Sequence, residues 1–181
     1  FDLVAFTLPH ELSYTNILTM LDLGGISLHS SDRGPVDPIV IAGGYGAFSP
    51  EPLAHFIDGF FIGEGEEGFP EIVNLLKKLK IQGMSRDERI NALSREAGMY
   101  VPRFYQAEYT DGGNLAGIFP AVDHVSSRVT RRTVKDLNQV FHNRTDLVPC
   151  MDTVHNRTAV EIMRGCTRGC RFCNAGMLFR P

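Results

Sequence analysis

Three short apolar runs constrain this chain more than any other feature, because a helix-length stretch follows each of them. Residues 2–8 form the first run, closed by Pro9; residues 38–44 form the second, closed by Gly43 and Gly44; residues 59–63 form the third. None alternates between apolar and polar residues, so each reads as a strand covered on both faces, the pattern of a parallel sheet. Residues 11–23 predict a helix with Leu12, Ile17, Leu18, Leu21 and Leu23 on its apolar side, stopped by Gly24 and Gly25. Residues 52–57 predict a short helix. Residues 69–80 predict a longer one, with Ile72, Val73, Leu75, Leu76 and Leu79 at helical spacing. Acidic residues precede it and Lys77, Lys78 and Lys80 close it, as the helix dipole favours. Strand and helix in strict alternation predict an α/β fold with a parallel sheet covered by helices. Residues 26–28 predict a short edge strand, and residues 30–38 a loop.

The pattern changes after Gln82. Residues 85–97 predict a polar helix with Ser85 as cap and Glu88 three residues on. Residues 100–110 are aromatic-rich and strand-like, Asp111-Gly112-Gly113-Asn114 is a turn, and residues 115–119 return, so a β-hairpin is expected. Residues 126–136 carry Arg128, Arg131, Arg132 and Lys135, best read as a solvated or interdomain face; an RNA contact is the weaker reading. Residues 138–155 look irregular. Residues 158–163 predict a fresh strand running directly into a cysteine-rich loop.

The composition suits a globular chain: 43% of its 181 residues are hydrophobic and 22% charged. A net charge of −3 does not suggest a nucleic-acid surface. No apolar run approaches the roughly 20 residues of a membrane span, and no secretory leader is visible. The chain starts at Phe1 inside an expected core strand and stops at Pro181 just after its richest motif, so it reads as an internal piece of a longer protein.

Three of the four cysteines, Cys166, Cys170 and Cys173, lie within eight residues, while Cys150 stands apart. A secreted disulfide scaffold spreads its cysteines along the chain. Three thiols this close are better explained by one metal centre in a reducing cytoplasm. At C-x3-C-x2-C spacing, three thiolates can reach three corners of one iron–sulfur cluster. With no fourth cysteine nearby, one iron keeps an open position that can chelate an amine and a carboxylate. Gly165 and Gly169 allow unusual backbone conformations. Arg164, Arg168 and Arg171 offset the thiolate charge, and Phe172 can shield the cluster or pack on an adenine. The competing reading is structural zinc, with Cys170 and Cys173 as one pair and Cys166 with His155 or Cys150 as the rest. Cys150 itself reads as a plain buried thiol.

The C-x3-C-x-aromatic-C pattern resembles the signature of the radical SAM superfamily. The longer stretch from Glu161 through Cys166, Cys170 and Cys173 to Gly176, with Arg180 and Pro181, resembles a narrower group: uncharacterised radical SAM proteins with a cobalamin-binding-like domain ahead of the barrel. Leu12-Ser13-Tyr14-Thr15-Asn16, Ile41-Ala42-Gly43-Gly44 and Ile62-Gly63-Glu64-Gly65-Glu66 resemble that group's front domain.

The resemblance implies three parts. Residues 1–82 would be a partial cobalamin-binding-like, Rossmann-like domain, residues 83–157 a connecting segment with a helix and β-hairpin, and residues 158–181 the first strand and cluster loop of a partial (β/α) barrel. It implies Cys166, Cys170 and Cys173 as ligands of a [4Fe–4S] cluster, with Phe172 near the adenine of S-adenosylmethionine. In that family the reduced cluster passes an electron to the sulfonium, giving methionine and a 5′-deoxyadenosyl radical that abstracts hydrogen from a substrate. An electron donor such as a flavodoxin or ferredoxin would be the partner. The substrate is not implied, and activity is expected of the full-length protein rather than of this piece.

One departure is plain: the cobalamin-ligand signature Asp-x-His-x-x-Gly is absent around all six histidines, His10, His29, His55, His124, His142 and His155. Cobalamin is therefore unsupported in this stretch. The alternative function is a cobalamin- or nucleotide-binding module with a structural zinc loop. Gly43-Gly44-Tyr45-Gly46 could line a nucleotide-like tail, though a tight turn is the simpler reading. Glu64, Glu66 and Glu67 read as solvated residues at a helix start.

Overall fold

The computed structural model describes residues 1–141, 150–152, 154, 157 and 160–179. It divides into two compact units, Phe1–Val140 and Phe141–Pro181, each described here by itself.

The first unit is built on the expected sheet. β1 (Leu3–Thr7), β2 (Ile39–Gly43) and β3 (Gly59–Phe61) run parallel, and β4 (Met99–Tyr100) adds an antiparallel edge, in the order β1-β2-β3-β4. Leu3 pairs with Ile39 and Thr7 with Gly43, Ile41 with Gly59, and Phe61 with Met99. The central strand alternates between two cores. Val40 and Ala42 face one side with Phe60 and Ile62, where Tyr14, Ile17 and Leu21 of α1 (Tyr14–Leu23) cover them. Ile39 and Ile41 face the other with Phe61, under Ile72 and Leu76 of α2 (Gly65–Ile81) and Ile90 and Leu93 of α3 (Arg86–Leu93). Helices on both faces explain why β2 reads as an unbroken apolar run. Each fully buried Leu, Ile or Phe here contributes about 1.5–3 kcal/mol relative to exposure.

The capping box at α3 forms as expected: Glu88 N–H donates to Ser85 Oγ, and Ser85 N–H donates to the Glu88 carboxylate at 2.8 Å. The hairpin forms too, from β5 (Tyr105–Tyr109) and β6 (Leu115–Pro120).

Several expectations shift. β1 is an edge strand, so it is half-exposed rather than buried. Residues 26–28 make no strand, because the Ser27 and Leu28 carbonyls accept instead from the buried Arg33 guanidinium at 3.0 and 2.9 Å. The helix expected over residues 52–57 is a single 3-10 turn, Glu51–Leu53. α2 starts at Gly65, four residues before the expected Phe69; Pro70 lies inside it rather than marking its start. β4 joins the main sheet, although the sequence around it reads as the start of the hairpin strand.

Arg33 also donates to Asp58 Oδ2, which accepts from Arg86 and from the Val40 N–H as well. Burial is the chief influence on Arg33 and lowers its pKa, with Asp58 acting in the opposite sense. This cluster fixes the amino end of β2 and the entry to β3.

In the second unit, residues 158 and 159 of the expected barrel strand lie outside the described residues, and residues 160–163 carry no strand pairing. A strand exists only through hydrogen bonds to a neighbour, and among the described residues of this unit no partner strand is present. The one helix described there is α4 (Ala175–Leu178).

Candidate metal centre

The cysteine loop is held by backbone hydrogen bonds. Gly165 enters it at φ 85°, a left-handed conformation that a side chain would oppose. Cys166 N–H then donates to Phe179 O at 3.0 Å, which closes the loop onto the chain after α4. Cys173 N–H donates to Cys170 O at 3.2 Å, forming a turn that carries Arg171 and Phe172 at its tip. Arg168 N–H points at Cys166 Sγ, 3.4 Å away. Gly176 is buried against the loop, and a β-carbon there would stand 2.4 Å from Arg168 O. Any larger residue at 176 would push α4 off the loop. Before the loop, Arg164 spans both carboxylate oxygens of Glu161 at 2.7 and 2.9 Å.

All four cysteines are free thiols. Cys166 and Cys173 are half-buried and Cys170 is exposed. Phe172 is 92% exposed, and Arg168 and Arg171 are exposed beside it. The loop keeps the three thiols on one eight-residue turn without converging them: among the described residues, no three His, Cys, Asp or Glu side chains form a metal-binding group. Cys150, expected to be buried, is exposed, as are its described neighbours Met151 and Asp152. His155, the possible zinc partner, lies outside the described residues.

The first unit has its own site-like features at the carboxyl ends of the parallel strands. A cavity of about 440 Å³ lies beside Thr7, Gly43, Gly44, Gly63 and Gly65. Gly44 opens a tight 3-10 turn over Tyr45–Phe48, the simpler of the two readings for that glycine cluster. At Gly63, φ is 124° and a β-carbon would stand 2.2 Å from Arg132 O, because residue 132 runs parallel to the strand end. Arg132 N–H donates to Ile62 O, Glu64 N–H donates back to Arg132 O, and the Glu64 carboxylate accepts from Val134 N–H. Glu64 is thus a structural tie rather than a solvated residue. Arg132 grips Glu71 with two bonds, at 2.9 and 3.2 Å, which raise its pKa. That basic residue serves the fold.

Against known families, the model described as radical SAM proteins, N-terminal, matches residues 1–102, more than half of the chain. The chain belongs to this radical SAM family. No curated protein and no solved structure gives a significant match. The family match covers the sheet, α1, α2, α3 and β4, while the cysteine loop lies beyond it. For a radical SAM chain, the donor chemistry of that loop suits an iron–sulfur cluster: three unpaired thiols on one turn, with open space around Gly169. In the radical SAM N-terminal unit the sequence leaves Arg33 and Asp58 unmarked and presents Glu64 as a solvated residue rather than a tie. The bonds of Asp58 to Val40, Arg33 and Arg86, and of Glu64 to Val134, join residues 18 to 70 positions apart, and no local pattern signals them.

Proposed function

We propose that this chain is part of a radical SAM enzyme in which Cys166, Cys170 and Cys173 hold a [4Fe–4S] cluster. One observation supports this above others: a C-x3-C-x2-C loop of free thiols follows, in the same chain, an N-terminal region of the radical SAM family. When bound, the cluster supplies the electron for reductive cleavage of S-adenosylmethionine, and three cysteines leave one iron for the amine and carboxylate of that molecule.

The chain's own residues prepare the loop. Gly165 sets the turn into Cys166, the Cys166–Phe179 backbone bond closes it, and Gly176 lets α4 pack against it. Gathering the three thiols requires the loop to tighten, which its exposure leaves it free to do. Arg168 and Arg171 stand beside the thiolates to offset their charge. Phe172, exposed at the tip, is the residue that would pack on the adenine. Residues 1–82 serve as a Rossmann-like front domain, residues 83–157 as a connector, and residues 158–181 as the start of the barrel. The protein works in the cytoplasm with a flavodoxin- or ferredoxin-type donor.

The test is turnover by the full-length protein, reconstituted without oxygen and reduced with dithionite. Formation of 5′-deoxyadenosine from S-adenosylmethionine is the expected result. A colourless protein holding one zinc per chain would replace this reading with a structural metal loop.

A further inference from the structure

A second cavity, of about 560 Å³, lies wholly within Phe1–Val140, on the α1 side of the sheet. It sits where β2 and β3 end, the position at which open α/β sheets place ligands, and its volume is that of a small-molecule site. Phe48, Tyr100 and Tyr105 supply aromatic walls, and Ile62 and Val129 supply aliphatic ones. Among the described residues lining it, Glu51 carries the one formal charge.

The walls are fixed in advance. The Tyr14 hydroxyl meets Gly46 O at 2.7 Å and Ser49 O at 2.8 Å, holding the loop that carries Phe48 and Glu51. The Tyr105 hydroxyl donates to Ser126 O at 2.8 Å and pins the opposite wall, while the Tyr100 and Tyr105 rings pack with centroids 4.7 Å apart. The Tyr100 hydroxyl donates to Glu51 Oε1 and orients the carboxylate. Burial, reinforced by Glu51, pushes the Tyr100 phenol far above its usual range, so it remains a neutral donor. The second oxygen, Oε2, has no protein donor among the described residues.

We propose that this cavity binds a small organic cation, an amine or quaternary ammonium with an apolar body. Aromatic faces attract cations through their quadrupole, and the attraction grows as the site loses water. The Glu51 carboxylate supplies the matching charge. A phosphate-bearing occupant would meet a carboxylate and no cation, and a wholly apolar one would strip water from Glu51 without replacing its hydrogen bonds. The proposal is independent of the cysteine loop and stands or falls separately from it.

The test is titration of the chain with choline and, separately, with 3,3-dimethylbutan-1-ol, its uncharged isostere, followed by NMR. Choline should give saturable shifts at Tyr100, Tyr105 and Ile62, and the isostere should bind about tenfold more weakly. Glu51→Gln should weaken choline binding by a similar factor with the remaining spectrum unchanged. Tyr100→Phe, which keeps the ring and releases the carboxylate, is the second variant should Glu51→Gln disturb the fold, and it too should weaken choline. Absence of saturable shifts up to about 10 mM choline, equal binding of the isostere, or unchanged choline affinity in both variants would overturn the proposal.

Discussion

Asp58 and Arg86 form an ion pair inside the first unit, 2.6 Å apart, with both side chains at least 95% buried. The same Asp58 oxygen accepts from Arg33 and from the backbone of β2. One carboxylate thus joins the loop before β2, β2 itself and the start of α3.

Asp58→Asn should therefore be strongly destabilising. Removing the charge leaves two buried guanidinium groups without their counter-ion, which costs roughly 3–5 kcal/mol. Urea unfolding should show the loss as a lower midpoint. Arg132→Ala should cost far less, about 0.2–1 kcal/mol, because Glu71 is half-exposed and water screens the pair.

Gly63→Ala tests the tie between the strand end and residue 132. Its positive φ alone makes a side chain cost roughly 1–3 kcal/mol, and the new β-carbon would collide with the Arg132 backbone. Amide exchange should accelerate at Glu64 and Arg132, whose N–H groups make the two bonds of the bridge.

The capping box predicts a pH effect. The Ser85 hydroxyl, followed by the Ser85 amide, lowers the Glu88 pKa below its ordinary value of 4.5. A depressed carboxyl stabilises the folded state above its unfolded pKa, and that contribution fades as pH falls through the lower folded value. NMR titration should find Glu88 below 4.5, and Ser85→Ala should return it toward that value.

The elements legible in the sequence are those whose determinants are local. β2 announced itself by its apolar run, α2 by its heptad-like spacing and lysine end, and the α3 cap by Ser85 and Glu88. What could not be read depends on distant partners. Residues 26–28 read as a short strand, yet the carbonyls of Ser27 and Leu28 go to Arg33, which the distant Asp58 holds in place. β4 is two residues long and exists only because β3 lies beside it. Arg132 looks like one charge among four in a basic stretch until Glu71 meets it. At the cysteine loop, spacing identifies the three thiols, but the turn geometry set by Gly165 and Gly176 and the exposure of Cys150 belong to the folded chain.

Single replacements of the cysteines should sort them by role. Cys166→Ala, Cys170→Ala and Cys173→Ala should each abolish stable cluster assembly, while Cys150→Ala should retain it, as read from iron and sulfide content after reconstitution.

The most direct measurement is electron paramagnetic resonance of the anaerobically reconstituted and reduced full-length protein, with and without S-adenosylmethionine. A [4Fe–4S]⁺ signal that requires Cys166, Cys170 and Cys173 and changes shape on adding S-adenosylmethionine is the predicted result. A protein that takes up zinc but no iron, or a cluster whose signal ignores S-adenosylmethionine, would contradict it.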